Sequence, residues 1–219
     1  MPTNEKIKKD IVDMLYWDNR IDASKVNVEV TDGNVALTGN VPTFRARNAA
    51  FDDACSVAGA RSVENDVVVS WIMPPEIPTD EEIAGRINDV LLWSADIDHS
   101  TIEVEVTDGW VTLRGTVASY WKKMRTEDLV SEVRGIVSIS NELAVTPTEQ
   151  YLDRAIAEDI VAALERDSAI DPEFIDVKVE DGVVTLSGKV LTWADSRTVG
   201  RIARLTAGVR DVINLMSIE

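Results

Sequence analysis

The residues best suited to chemistry in this sequence are cations and aromatic side chains that gather in two places. The first group falls within residues 120–125 and comprises Tyr120, Trp121, Lys122, Lys123 and Arg125. The second group is spaced i, i+4, i+7 and comprises Arg197, Arg201 and Arg204. Residues at that spacing share one face of a helix. Aromatic rings beside lysine and arginine suit a membrane interface or a phosphate-bearing partner, whereas a solvated basic face that pairs with acids of a neighbouring copy is the alternative.

Catalytic and metal-binding chemistry has few residues to use. His99 is the one histidine and Cys55 the one cysteine, which excludes a site with two imidazoles and an intrachain disulfide. Carboxylates are plentiful, but their spacing matches no calcium loop, and the sequence has no glycine-rich phosphate loop. We therefore predict no catalytic residue, no metal site and no cofactor, with His99 in a solvated loop.

The charge balance narrows the class of partner. The chain has 219 residues, with 22 Lys and Arg against 39 Asp and Glu, so its net charge is −17. This acidic balance argues against a nucleic-acid partner, and the hydrophobic content of 45% indicates a folded chain.

No window approaches the roughly 18 apolar residues of a membrane-spanning helix, and no secretory signal pattern opens the sequence. We expect a cytoplasmic protein, or a periplasmic one if a leader has been removed.

Three copies of one unit supply the elements that carry these residues. Each copy has an Asp-Gly pair, a glycine six residues after that pair, and a later glycine followed six residues on by asparagine. These landmarks fall at Asp32-Gly33, Gly39, Gly59 and Asn65, at Asp108-Gly109, Gly115, Gly135 and Asn141, and at Asp181-Gly182, Gly188, Gly208 and Asn214. The copies are offset by 76 and then 73 residues throughout, which establishes an internal repeat.

Each copy predicts the order helix, strand, strand, helix, strand. Apolar residues at i, i+4, i+8 mark the first helix, and two alternating runs joined by Asp-Gly predict a β-hairpin. A hydroxyl suits the N-cap of each second helix, at Thr43, Ser119 and Thr192. The predicted fold class is therefore α+β, with three tandem two-layer domains at 3–72, 79–147 and 148–219, each with a three-stranded mixed sheet.

Two capping boxes are predicted to open later copies, Thr79 with Glu82 and Thr146 with Glu149. The landmark glycines are predicted to serve as turn and cap residues, because glycine permits positive φ. They are Gly33, Gly39, Gly59, Gly109, Gly115, Gly135, Gly182, Gly188 and Gly208.

Cys55 corresponds to the polar Ser131 and Arg204 of the other copies, so we predict that it faces outward.

The tryptophans are predicted to lie at surfaces of contact. Trp110 falls at the tip of the second hairpin, where it either inserts into a partner or lipid or covers a neighbouring domain. Trp17 and Trp93 share a position on the first helix, and we interpret it as a partly exposed edge in contact with another domain. A second shared position is predicted to be a packing aromatic and holds Phe44, Tyr120 and Trp193.

The landmarks resemble those of the BON domain family, over nearly the whole chain and in three tandem copies. The matching stretches are residues 106–115, residues 179–188 and the segment 135–141 that ends in Asn141. The resemblance implies a non-catalytic module that binds phospholipid or a membrane surface, in osmotic or envelope stress. The rival hypothesis is a protein-interaction or chaperone-like stress module that uses exposed tryptophan and acidic surface.

Overall fold

The computed structural model describes residues 2–70, 78–147, 151–167 and 170–218. The first repeat contains helix α1 (Asn4–Trp17), strands β1 (Val26–Thr31) and β2 (Asn34–Val41), helix α2 (Phe44–Ser56) and strand β3 (Ser62–Val69). The second contains α3 (Asp80–Leu92), β4 (Ile102–Thr107), β5 (Trp110–Val117), α4 (Tyr120–Ser131), β6 (Ser138–Asn141) and β7 (Ala144–Val145). The third contains α5 (Asp153–Leu164), β8 (Ile175–Glu180), β9 (Val183–Val190), α6 (Trp193–Leu205), β10 (Asp211–Asn214) and β11 (Ser217–Ile218).

Each repeat builds a mixed sheet around its middle strand. In the first repeat β1 pairs with β2 antiparallel, with Val28 opposite Leu37, and β2 pairs with β3 in parallel, with Val35 opposite Val63. In the other two repeats the third strand is interrupted, and both of its segments pair with the middle strand. The predicted α+β fold with a three-stranded mixed sheet per repeat is therefore confirmed.

The hairpin turn explains the repeated Asp-Gly pair. Asp108 has φ 51° and Gly109 has φ 76°, and the pairs of the other repeats have nearly the same angles. Positive φ at both central residues defines the type I′ turn, whose twist matches that of the flanking strands. The glycine that follows in β5 is required for another reason, because a Cβ on Gly115 would collide with the carbonyl oxygen of Thr101.

The core lies where the first helix covers the sheet. Its helical residues recur at i, i+4, i+8, are at most 2% exposed, and are Ile7, Ile11, Leu15, Ile83, Ile87, Leu91, Ile156, Ile160 and Leu164. Burial of each such side chain contributes roughly 1.5–3 kcal/mol. Second helices add the predicted packing aromatics: Phe44 and Tyr120 are buried, and Trp193 is half-buried.

Most predicted caps are confirmed by their hydrogen bonds. The Thr43 hydroxyl accepts from the N–H of Ala46 at 3.1 Å, and Ser119 and Thr192 cap their helices in the same way. Thr79 and Glu82 form the predicted capping box, since the Thr79 N–H donates to Glu82 Oε2 at 2.9 Å and the Glu82 N–H donates to Thr79 Oγ1 at 3.3 Å.

Two predictions about local structure were wrong. The capping box from Thr146 does not open the third repeat, because α5 begins at Asp153 after Leu152, whose position is that of Thr79 in the repeat; Glu149 lies outside the described residues. Cys55 does not face outward, since it is 1% exposed. Its equivalent Arg204 is half-buried as well, so this position is covered even where it is polar.

The middle repeat contributes segments to two compact units of the chain. The first unit comprises Met1–Ile87, Glu105–Val111 and Val130–Ser140, and the second comprises Asn88–Val104, Thr112–Leu129 and Asn141–Glu219. Within the first unit, Arg45 Nη1 of α2 lies 2.6 Å from Glu132 Oε1, just after α4. Both side chains are about half exposed, so this contact contributes little to stability.

Candidate binding surface

The outward face of α6 carries two of the predicted arginines. Arg197 and Arg201 are exposed and one helical turn apart, and Leu205 continues the same stripe with 53% exposure. Leu191, just before α6, is 76% exposed. The opposite side of α6 faces the core through Val199 and Ala203. The result is a cationic stripe that continues into an exposed leucine, with a second exposed leucine just before the helix.

The third arginine of that group does not share this exposure. Arg204 is half-buried and lies close enough to the hydroxyl of Tyr120, which begins α4, to affect its pKa, while Arg204 Nε is buried with no hydrogen-bond partner among the described atoms. Burial raises the pKa of Tyr120 above its ordinary value of 10.0, although the charge of Arg204 acts in the opposite direction by favouring the phenolate. Tyr120 and Arg204 therefore join the second and third repeats within one compact unit.

The remaining residues at the start of α4 lie at a partly covered surface. Trp121 is exposed, whereas Lys122, Lys123 and Arg125 are half-buried. Lys122 lies close enough to Asp98 to contribute to the lowered pKa of that carboxyl, which hydrogen bonds from Ser100 lower more strongly. The structure thus does not gather all the predicted basic residues on one face.

Trp110 stands at the first position of β5, directly after the hairpin turn, and is 61% exposed. The turn beside it is bound by the side chain of Asp80, the first residue of α3. Asp80 Oδ1 accepts from the Gly109 N–H at 2.9 Å, and Asp80 Oδ2 accepts from the Asp108 N–H at 2.8 Å. The tip that presents Trp110 is therefore anchored to a helix.

An apolar pocket lies beside the start of α6. Its cavity measures about 200 Å³ and is lined by Phe174, Val190 and Leu191, with Lys189 and Asp195 among its polar members. Phe174 is largely exposed, so its ring borders both the pocket and solvent. The equivalents of Phe174 and Leu191 are Thr101 and Ala118 in the second repeat, which lack this apolar surface.

A second concavity, of about 510 Å³, lies between the end of α3 and α4. Trp93 and Leu129 supply its apolar surface, and Asp89, Asp96 and Arg125 supply its charges. Trp93 is 85% exposed, so its ring is open to a ligand. Trp17 is 79% exposed as well, so the position that these two tryptophans share is more open to solvent than the partly exposed edge that we predicted.

The first repeat has a carboxylate cluster at the corresponding place. Asp18 Oδ2 accepts from Arg20 Nη2 at 2.5 Å, and that hydrogen bond lowers the pKa of Asp18. Burial, followed by the charge of Asp18, raises the pKa of Asp53 to about 6. Asp53 Oδ2 is buried with no hydrogen-bond partner among the described atoms. Leu129 and Ile202 occupy this position in the other repeats, so comparison of the copies identifies Asp53 as the exception.

Sequence reasoning also missed the residues that fix the hairpins. Asn4, Asp80 and Asp153 share one repeat position, and each accepts a hydrogen bond from the N–H of the glycine in its own Asp-Gly turn. Their equal spacing was a usable signal. His99, by contrast, is exposed in a short 3₁₀ turn, as predicted.

No set of three or more histidine, cysteine, aspartate or glutamate side chains could hold a metal ion within the part of the chain that the structure describes. Across the same residues, no helix is long and apolar enough to cross a membrane.

A family model described as the BON domain matches residues 3–70, 79–147 and 152–219. The chain is 30% identical over 141 residues to the osmotically-inducible protein Y of Escherichia coli (strain K12). The aligned region covers 62% of this chain and 70% of that protein. It is 29% identical over 125 residues to an uncharacterized protein in the gshII 5′ region of Anaplasma centrale, over 55% of this chain and 83% of that one.

A solved structure of CdsD, a structural protein of the type III secretion system of Chlamydia trachomatis, is similar over 96% of this chain and 91% of that chain. The identity is 15% and the TM-score is 0.28, so we draw no conclusion about fold or function from this similarity.

Proposed function

The chain belongs to the BON domain family, in three tandem copies, and we propose that it is a non-catalytic module that binds the surface of a phospholipid membrane. The observation that carries this proposal is the outward face of α6. There Arg197 and Arg201 are exposed between Leu191 and Leu205, which are exposed too. Arginines attract lipid phosphates, and exposed leucines can enter the apolar boundary of the bilayer.

The apolar pocket beside α6 extends this surface. Leu191 belongs to both, and Phe174 adds an exposed aromatic ring on the other side of the pocket. Lys189 places a further cation there. Apolar side chains flanked by cations are the composition expected of a segment that lies in the headgroup region without crossing it.

The net charge of −17 limits where a membrane can approach. The acidic remainder of the protein repels anionic lipid, so attraction must come from the local stripe of Arg197 and Arg201. Such attraction acts over about 10 Å at 0.1 M salt and extends further at lower salt. We therefore expect binding that is weak, salt-sensitive and confined to the third repeat.

The physiological setting is also a proposal. The Escherichia coli relative is named for its induction by osmotic conditions. We propose that this chain likewise acts in osmotic or envelope stress, at a membrane surface that such stress perturbs.

Co-sedimentation with vesicles of increasing anionic content, in low-salt buffer, tests the membrane proposal. We expect the bound fraction to rise with anionic lipid and to fall when salt is added. Absence of binding at low salt to every composition would refute the proposal, because charge attraction is strongest in that buffer.

Exposed tryptophan favours one alternative, a protein-interaction or chaperone-like stress module. Trp110 projects at an anchored hairpin tip, and tryptophan is enriched at protein interfaces. Capture of partners that disappear with Trp110→Ala, together with no vesicle binding, would support this alternative over the membrane.

A further inference from the structure

The groove between α3 and α4 is lined by charged side chains that no ion pair neutralises. Arg125 is half-buried on α4, while Asp89 and Asp96 are exposed. None of the three has a salt-bridge partner among the described residues. Charges of both signs therefore face one concavity but remain separated, and Trp93 presents its ring beside them.

This arrangement is particular to the second repeat. The equivalents of Arg125 are Ala49 and Thr198, which carry no charge. In the first repeat the one local cation is already engaged, because Arg20 pairs with Asp18. The groove is thus not a general consequence of the fold, which is the same in all three copies.

The chemistry of the lining selects a ligand that carries both signs of charge. A guanidinium binds a phosphate through paired hydrogen bonds, and an indole ring attracts a cation to its face. Formal charges of +1 for Arg125 and −1 each for Asp89 and Asp96 sum to −1. A simple anion would meet two carboxylates, and a simple cation would meet the guanidinium. A zwitterion satisfies both sets.

We propose that this groove binds a small zwitterion with a phosphate and a primary amine, as in phosphoethanolamine. The phosphate contacts Arg125, and the ammonium group lies against Trp93 and the two carboxylates. A primary amine fits these carboxylates because it donates hydrogen bonds, which a quaternary amine cannot. This site lies outside the arginine stripe of α6 and does not depend on the membrane proposal.

Two-dimensional NMR of the full chain tests the site through the indole N–H signal of Trp93, assigned with Trp93→Phe. We expect phosphoethanolamine to shift this signal in a saturable way, with inorganic phosphate and ethanolamine each binding about tenfold more weakly. Arg125→Ala should weaken phosphoethanolamine binding about tenfold, and Arg125→Lys should restore part of it. Arg134→Ala makes the same charge change at an exposed residue that does not line the groove and should leave binding unchanged.

A vesicle arm identifies the source of the ligand. Neutral vesicles with and without phosphatidylethanolamine are compared at a salt concentration that suppresses the attraction of α6. Preference for phosphatidylethanolamine identifies a lipid headgroup, whereas a response to soluble phosphoethanolamine alone identifies a free metabolite; either result supports the site. An equal shift with inorganic phosphate, no shift of Trp93, or equal effects of Arg125→Ala and Arg134→Ala would overturn it. Arg201→Ala should leave the Trp93 response intact, so failure of the membrane proposal is recognised separately.

Discussion

Asp80 binds the hairpin turn at Gly109, with its carboxylate 2.9 Å from the Gly109 nitrogen and 2.8 Å from the nitrogen of Asp108. Asp153 makes the same pair of contacts in the third repeat. A single side chain at the start of a helix thus fixes the tip of a β-hairpin that lies 28 and 29 residues away in sequence.

Replacement of Asp80 by alanine should lower the free energy of unfolding by about 1–3 kcal/mol, because two backbone donors lose a charged acceptor. Urea denaturation followed by circular dichroism measures this change. Glu81→Ala removes the same charge from an exposed position in the same helical turn and should cost less than about 0.5 kcal/mol. Equal effects of the two substitutions would show that the turn contacts contribute nothing beyond the charge.

Two glycines should respond to alanine with opposite signs. Gly115→Ala should destabilise by about 2 kcal/mol or more, because φ is +120° and the new Cβ would strike the Thr101 carbonyl. Gly85 lies inside α3 with open space around it, so Gly85→Ala should stabilise by roughly 0.5–1 kcal/mol. Thermal unfolding of both variants distinguishes the two expectations, and a gain in stability for Gly115→Ala would contradict the backbone geometry.

Asp53 should make the first repeat less stable as pH rises. Its pKa of about 6 in the folded chain lies above the ordinary 3.8, so the folded state holds the proton more tightly. Stability from this group is present at low pH and is lost as pH rises between these two values. Asp53→Leu, which copies Leu129, should therefore stabilise more at about pH 7.5 than at about pH 4.5, by on the order of 1 kcal/mol after screening by water. Asp53→Asn keeps the shape and should show the same trend, whereas a gain that is equal at both pH values would indicate packing alone.

Cys55 should resist thiol reagents in the folded protein. The side chain is 1% exposed, so a thiolate cannot meet the reagent without local opening. We expect negligible labelling by a chromogenic disulfide in native buffer and complete labelling in denaturant. Rapid labelling in native buffer would contradict the observed burial.

The sequence was sufficient to predict the fold, because the repeated landmarks and the alternation of apolar and polar residues both depend on the conformation of the backbone. Three copies in one register fixed the helices, the hairpins and the strand order, and the Ile7, Ile11 and Leu15 spacing identified the core. The site was harder, because periodicity tells which face a residue occupies but not which neighbour covers it. Arg204 was predicted to share a face with Arg197 and Arg201, yet it is half-buried, and its neighbour Tyr120 comes from another repeat.

Cys55 illustrates the same limit. Polar equivalents predicted solvent exposure, but this position is covered even where a polar side chain occupies it, since Arg204 is half-buried. The groove at Trp93 was missed for a related reason, since its lining comes from two helices that the chain separates by an entire hairpin. Only the comparison of equivalent residues, with Ala49 and Thr198 against Arg125, provided a signal.

Charge reversal on α6 tests the membrane proposal most directly. Co-sedimentation at low salt with vesicles rich in anionic lipid compares the wild type, the double variant Arg197→Glu/Arg201→Glu and the matched double variant Arg86→Glu/Arg134→Glu, whose two residues are exposed in the second repeat. Each basic residue near the surface contributes about 1 kcal/mol, so reversing two of them should reduce binding by about 100-fold or more. Arg86→Glu/Arg134→Glu should bind nearly as the wild type does. Equal losses in both variants, or undiminished binding by Arg197→Glu/Arg201→Glu, would contradict the assignment of the membrane-binding surface to α6.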